Sequence, residues 1–118
     1  MQAYGQTDTG CVRTRNQDYI YFSPEQTGDL ENLFFLADGM GGYQAGDYAS
    51  WYAVEGLVSY MKEKKGIPVV TRFREGIGQV NGQLFQKAQN SPEYKGMGTT
   101  LVAASTQEQT MYVANVGD

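Results

Sequence analysis

The feature that most limits the possible folds is a five-residue apolar run, residues 33–37 (LFFLA), followed at once by Asp38. Such a run, bounded by turn residues, predicts a short strand buried on both faces. The strand would deliver Asp38 at its carboxyl end, which makes this carboxylate a candidate site residue. The loop predicted after it holds four glycines, which allow positive φ or a close approach of the backbone: Gly39, Gly41, Gly42 and Gly46.

The spacing of apolar residues predicts the other elements. A period of 3.6 residues indicates helices over 47–65 and, despite three interrupting glycines, over 71–90. Aromatic and β-branched runs predict short strands over residues 2–9, 18–23, 99–105 and 111–116. Strands and helices do not alternate as in a parallel βαβ repeat. The predicted fold class is therefore α+β, with helices layered on a sheet.

The composition excludes several kinds of chemistry. The chain has 118 residues, enough for one domain, and no histidine, which rules out Ser-His-Asp or Cys-His catalysis and His-ligated zinc within it. Nine basic and thirteen acidic residues give a net charge of −4, which argues against a nucleic acid partner. Cys11 is the single cysteine, no leader-like segment is seen, and no apolar stretch approaches about 20 residues. We therefore expect a cytoplasmic protein without a membrane partner.

Three aspartates fall at strand ends or tight loops of the predicted fold: Asp18, Asp38 and Asp118. Carboxylates that converge at one edge of a sheet require a cation or raised pKa values. Oxygen ligands favour Mg²⁺, Mn²⁺ or Ca²⁺, and the chain lacks the D-x-D-x-D-G pattern of a calcium loop. Two alternatives stay open: each aspartate caps a turn, and Arg13 and Arg15 are solvated rather than phosphate ligands.

Four motifs, in order along the chain, carry a family resemblance. They are residues 7–18 (TDTGCVRTRNQD), 35–42 (FLADGMGG), 96–101 (GMGTTL) and 113–118 (VANVGD). Together they resemble bacterial metal-dependent serine/threonine protein phosphatases of the protein phosphatase 2C (PPM) type. The resemblance implies an antiparallel β-sandwich with helices packed outside, in α-β-β-α layers. Residues 1–118 would form the N-terminal part of one such domain, about half of it.

The resemblance also implies roles for individual residues. Asp38 and the backbone carbonyl of Gly39 would bind a pair of Mn²⁺ or Mg²⁺ ions, and Asp18 would hold a metal-bound water. Arg13 would bind the substrate phosphate, and Asp118 would help to bind a third ion. The implied reaction is hydrolysis of phosphoserine or phosphothreonine in proteins by metal-activated water. The substrates would be phosphorylated by a partner serine/threonine kinase.

Three positions depart from the family pattern, and half of the domain is missing. Gln17 stands where many members have Glu, Tyr43 where the bacterial loop usually has His, and Asp47 where Glu is common. The downstream aspartates of the paired-metal site lie in the other half, so we expect the 118-residue chain to bind metal weakly and to be inactive. The alternative is a non-catalytic interaction module whose open sheet edges pair with a second copy or another chain.

Overall fold

The computed structural model describes residues 18–23, 26–41 and 45–116. The elements in this part of the chain are β1 (Asp18–Ser23), β2 (Leu33–Met40), α1 (Ala45–Glu63), α2 (Val69–Asn90), a short 3₁₀ helix (Pro92–Tyr94), β3 (Gly98–Gln107) and β4 (Thr110–Val116). The strand predicted over residues 2–9 lies outside the described residues. The other predicted strands and both helices are present, and the 3₁₀ helix is an addition to them.

The four strands form one antiparallel sheet in the order β1-β2-β3-β4. Because neighbouring strands run in opposite directions, the sheet has two distinct ends. At the first, which we call the Asp38 end, β1 begins, β2 ends, β3 begins and β4 ends. At the opposite end, which we call the Asn32 end, β1 ends, β2 begins, β3 ends and β4 begins.

Both helices pack on the same face of the sheet. Alternate residues of the two central strands, Phe35 and Ala37 on β2 with Leu101 and Ala103 on β3, are buried against them. The ring centroid of Phe73 on α2 lies 6.4 Å from that of Phe35. This arrangement confirms the α+β class and the helical layer expected on one side of a PPM-type sheet.

Strand β2 differs from its prediction in two ways. Its burial alternates along the strand, so the expectation of a run covered on both faces is wrong for the described residues. The strand also continues to Met40, because Gly39 pairs with Thr99 and Met40 pairs with Gly98 on β3. Asp38 therefore lies inside the strand, two residues before its end. Gly39 belongs to β2 and Gly46 to α1, so neither lies in the loop.

Helix α2 forms despite three glycines because tertiary packing favours it. A Cβ atom at Gly76 would lie 2.9 Å from Tyr60 Cδ1 and 3.1 Å from Leu57 Cδ2 on α1. The missing side chain therefore lets the two helices approach closely. A Cβ atom at Gly78 or Gly82 would meet nothing within 4 Å. These two positions lower helix propensity without any visible gain in packing.

An ion pair joins the β1–β2 connection to the first turn of α2 at the Asn32 end, and a hydrogen bond joins it to the α1–α2 connection. The Arg72 guanidinium is 3% exposed, and its Nη1 lies 2.5 Å from Asp29 Oδ1. The second carboxylate oxygen of Asp29 accepts a hydrogen bond from the backbone N–H of Gly66 at 2.8 Å. Arg72 also donates to the carbonyl of Ile67. One partly exposed carboxylate thus anchors two connections.

A second polar contact closes the sheet at the same end. The buried side-chain amide of Asn32 donates from Nδ2 to the carbonyl of Thr106 at 3.1 Å and accepts from the Thr106 N–H at 2.8 Å. The buried hydroxyl of Ser105 donates to the Asn32 carbonyl at 2.7 Å. Asn32 therefore continues the pairing of β2 with β3 beyond the Phe34–Ala104 pair, using its side chain in place of backbone.

Candidate functional site

The register of the sheet brings three motif positions side by side at the Asp38 end. Asp18 on β1 is the Cα partner of Asp38 on β2, and Thr100 on β3 is the Cα partner of Asp38 on the other side. Directly opposed residues in antiparallel strands have Cα atoms about 4.5–5.5 Å apart. The predicted metal residue and the predicted water-holding residue thus occupy adjacent positions in the ladder, although 20 residues of sequence separate them.

Asp38 itself is half-buried on the sheet face that the helices leave open. Its backbone carbonyl accepts a long hydrogen bond of 3.5 Å from the Thr100 hydroxyl, and the Thr100 carbonyl accepts one of 2.8 Å from the Thr99 hydroxyl. The Thr100 hydroxyl thus links the start of β3 to Asp38, whereas the hydrogen bond of Thr99 stays within β3. The Asp38 carboxylate is a hard oxygen donor, of the kind that Mn²⁺ or Mg²⁺ binds.

Glycine at position 41 determines how the chain leaves this site. Gly41 has φ of 149°, and a Cβ atom there would lie 2.9 Å from Ala45 Cβ and 3.2 Å from the backbone nitrogen of Gly46. Only a residue without a side chain permits this approach. The end of β2 therefore lies directly against the first turn of α1, and the Asp38 end is covered by backbone on that side.

A hydrogen bond fixes β1 beside α1 near the site. The hydroxyl of Tyr19, next to Asp18, donates to Glu55 Oε2 on α1 at 3.1 Å. Burial, together with this hydrogen bond and the charge of Glu55, raises the pKa of Tyr19 above its usual value of 10.0. The phenol therefore stays protonated at neutral pH and remains a donor, which keeps the strand that carries Asp18 in place.

An aromatic cluster connects the start of α1 to the segment before β3. The rings of Tyr48 and Tyr94 are stacked, with centroids 4.5 Å apart and an interplanar angle of 7°. Trp51 and Tyr52 also contact Tyr48, with ring centroids within 6 Å. Tyr48 and Tyr52 pack against the core, whereas Trp51 is 47% exposed. The cluster stabilises the outer side of the Asp38 end.

Most of the remaining predicted site residues lie outside the part of the chain that the structure describes. Arg13, Asp118, Gln17 and Tyr43 lie outside the described residues, and Asp18 is placed by its register alone. Within the described ranges, no three Asp, Glu or Cys residues form a group that could hold a metal ion. Neither helix of this part of the chain has the length and apolar content needed to cross a membrane. The described site is therefore Asp38, Gly39 and the two threonines beside them.

Comparison with known proteins decides the family. A family model described as protein phosphatase 2C matches residues 12–118. The chain belongs to the protein phosphatase 2C family. The serine/threonine phosphatase Stp of Listeria welshimeri is 38% identical to it over 124 residues, which cover 100% of this chain and 48% of that relative. This phosphatase 2C chain thus spans about half the length of the relatives that it matches.

Solved structures agree with this placement. The chain superposes on the serine/threonine phosphatase Stp1 of Staphylococcus aureus with a TM-score of 0.82 and 40% identity, covering 96% of this chain and 45% of that one. The catalytic domain of the phosphatase PstP, solved in complex with two manganese ions, gives a TM-score of 0.75 at 29% identity, covering 96% and 46%. The resemblance read from the four motifs and the PPM-type fold are therefore confirmed.

Sequence reasoning missed the place of the two threonines in the site. Thr99 and Thr100 belong to the third motif, and they are the residues that pair with Gly39 and Asp38. A signal was available in the sequence, since a motif that opens a strand must lie at one end of a sheet. The pairing partner of that strand was not visible, because it lies 60 residues earlier.

Proposed function

We propose that the complete domain hydrolyses phosphoserine and phosphothreonine in proteins at a Mn²⁺ or Mg²⁺ centre, and that this chain provides the first half of that centre. The observation that most supports the proposal is the register of Asp18, Asp38 and Thr100 at one end of the sheet. Three of the four motifs meet there. Motif residues that only stabilise the fold would have no reason to lie together at one end of the sheet.

The donor chemistry at this end fits hard cations. Asp38 and the carbonyl of Gly39 would hold the paired ions, Asp18 would orient water, Arg13 would bind phosphate, and Asp118 would contribute to a third ion. When bound, the ions would supply positive charge that lowers the pKa of water and offsets the charge of the phosphate. Both Mn²⁺ and Mg²⁺ accept such oxygen ligands, and the chain offers no histidine to a softer metal.

The chain alone is proposed to be inactive. Asp38 is the one carboxylate among the described residues assigned to direct binding of the paired ions, and Mn²⁺ or Mg²⁺ needs several oxygens in near-octahedral arrangement. The substrates would be phosphorylated proteins, with a serine/threonine kinase as the opposing enzyme. A cytoplasmic location, consistent with the single cysteine, belongs to the same proposal.

The test joins this chain to the second half of the Listeria welshimeri phosphatase in one polypeptide. We expect manganese-dependent hydrolysis of a phosphoserine peptide by the fusion and none by the 118-residue chain. Asp38→Asn should lower kcat by about 100-fold or more, since a ligand of the centre is lost. The control is Glu63→Gln, at the far end of α1. An inactive but folded fusion, or an active Asp38→Asn fusion, would contradict the proposal.

A second function, self-association of the chain, is favoured by the uncovered face of the sheet. This face carries Phe22, Met111 and Val113, which are 40%, 66% and 60% exposed, beside the half-buried Leu36 and Val102. Monomeric proteins rarely expose apolar patches larger than a few hundred Å². The outer strand β4, paired on one side with β3, adds backbone groups that a further strand could pair with.

Sedimentation of the 118-residue chain at micromolar concentration tests this second function. We expect dimers or larger species that dissociate when Val113→Lys places a charge on the uncovered face. Ser59→Lys is the control, because Ser59 is exposed on α1, which packs on the other face of the sheet. A compact monomer, or association unaffected by Val113→Lys, rules the idea out.

A further inference from the structure

The end of strand β1 that carries Asp18 is held by a contact outside the candidate site. Among the described residues, β1 pairs with β2 on one side and with no strand on the other, so it is an outer strand of the sheet. It is also short, with six residues. An outer strand opens more readily than a strand paired on both sides, because fewer backbone hydrogen bonds hold it. The position of Asp18 therefore depends on what else fixes β1.

Tyr19 provides one such contact, between β1 and helix α1. Its hydroxyl donates a hydrogen bond to Glu55 Oε2 at 3.1 Å, and its ring packs against the hydrophobic core. Tyr19 is the Cα partner of Ala37, one step along the ladder from the pair of Asp18 and Asp38. One step in a strand is about 3.3 Å. The anchored residue is thus the immediate neighbour of the pair that the proposed function uses.

Glu55 offers this acceptor from a helix that is itself firmly packed. Its neighbours Val54 and Leu57 are 0% and 1% exposed and belong to the core. The first turn of α1 is also fixed against the end of β2, at the close approach of Gly41 to Ala45. Glu55 itself is exposed, so its side chain contributes little to the core. A helix packed in this way is a rigid reference against which an outer strand can be fixed.

Tyr21, two residues along the same strand, makes a different contact. Its ring packs near that of Phe35, with centroids 6.3 Å apart, and its hydroxyl lies 3.4 Å from the Thr27 hydroxyl. Thr27 belongs to the β1–β2 connection, so this contact secures the Asn32 end of β1. The two tyrosines therefore fix opposite ends of one strand, and they form a matched pair for an experiment.

We propose that Tyr19 is a positioning residue for Asp18 and acts through its hydrogen bond to Glu55. The proposal rests on the phosphatase function above and deepens it. With the hydrogen bond in place, Asp18 stays in register beside Asp38, where it can orient water as proposed. Without the hydrogen bond, the Asp18 end of β1 opens more often, and Asp18 is displaced in a larger fraction of molecules. The loss of turnover is then caused by Asp18 and not by unfolding of the domain.

Kinetics of the fusion with the second half of the Listeria welshimeri phosphatase test the proposal. We expect Tyr19→Phe to lower kcat about fivefold, the change that corresponds to one net hydrogen bond. Tyr21→Phe is the control, because it removes a hydroxyl from the same face of the same strand and should leave kcat unchanged. Glu55→Ala should match Tyr19→Phe, and the double variant should lose no more than either single variant. Glu55→Gln keeps an acceptor oxygen and should retain most of the activity.

Removal of the Asp18 carboxylate separates positioning from a general structural role. In an Asp18→Asn fusion, Tyr19→Phe should have no further effect on kcat, because the group that Tyr19 positions is already lost. A purely structural role of Tyr19 would lower kcat by the same factor in both backgrounds. An equal effect of Tyr19→Phe with and without the Asp18 carboxylate, or no effect in either background, overturns the proposal.

Amide hydrogen exchange of the same fusion tests the anchor without a reaction. Nuclear magnetic resonance should show about fivefold faster exchange at the Asp18 end of β1 in Tyr19→Phe, and no change at that end in Tyr21→Phe. Equal exchange in the wild type and Tyr19→Phe overturns the proposal. If the wild-type fusion is inactive, the phosphatase function fails, and the exchange rates still decide whether Tyr19 holds this end of the strand. Circular dichroism confirms that each variant is folded, which is expected because phenylalanine keeps the ring that packs against the core.

Discussion

The two ends of the sheet are built from similar residue types but differ in what those residues do. At the Asn32 end, Asp29 and Asn32 bind Arg72 and Thr106 and thereby close connections of the fold. At the Asp38 end, Asp38 stands half-buried on the open face, beside threonines and glycines. The comparison teaches that an aspartate in a β-rich fold is explained by its partners: the partners of Asp29 and Asn32 stabilise one end of the sheet, and for the other end we propose a ligand.

The largest effect is expected from Asp29→Ala at the Asn32 end. Removing this carboxylate leaves the buried Arg72 guanidinium without its partner and also removes the acceptor of the Gly66 N–H. Breaking such a pair should lower the free energy of unfolding by about 3 kcal/mol. Urea unfolding measures it. Glu31→Ala is the control, because the side chain of Glu31 makes one long hydrogen bond of 3.4 Å. Substitution of an ordinary surface residue lowers the free energy of unfolding by less than about 0.5 kcal/mol, so a loss below that value would contradict a structural role of Asp29.

A smaller effect is expected from Asn32→Ala. The substitution removes the side-chain amide that pairs with both backbone groups of Thr106 and leaves them unsatisfied in a partly buried place. The free energy of unfolding should fall by about 2 kcal/mol. Asn115→Ala, at an exposed asparagine of β4, should change it by less than about 0.5 kcal/mol. If both variants have the same free energy of unfolding, the Asn32 side chain does not close the sheet, and the contrast between the two ends of the sheet is wrong.

The sequence predicted most of these elements because their signals are local. The apolar period of α1 and the alternating residues of β4 are visible within a few residues of each other. Asp38 was found for the same reason, as a polar residue after an apolar run. The position of Asp38 inside β2 cannot be predicted in this way. A glycine-rich segment indicates a loop unless its pairing with β3 is known.

What could not be predicted depends on residues far apart in the chain. Asp29 and Arg72 are separated by 43 positions, and Asn32 and Thr106 by 74. None of these four residues belongs to a motif, and no local pattern indicates its partner.

The smallest expected effect is a loss of unfolding free energy at low pH. The hydrogen bond from Arg72, with a second from Gly66, holds the pKa of Asp29 below its usual value of 3.8. The lowered pKa means that the stabilising contribution is present above pH 3.8 and is lost as the pH falls through the folded-state pKa. The difference in unfolding free energy between the wild type and Asp29→Asn should therefore narrow below that pH. A difference that stays constant down to the acid transition would contradict the ion pair.

The most direct test of the contrast between the ends is manganese binding by the 118-residue chain and its Asp38→Asn variant. Electron paramagnetic resonance of free Mn²⁺ gives the binding, and urea unfolding gives the stability of the same samples. We predict weak binding that Asp38→Asn abolishes, with a change in unfolding free energy below about 0.5 kcal/mol. Unchanged manganese binding in the variant, or a loss of stability as large as that of Asp29→Ala, would contradict the account.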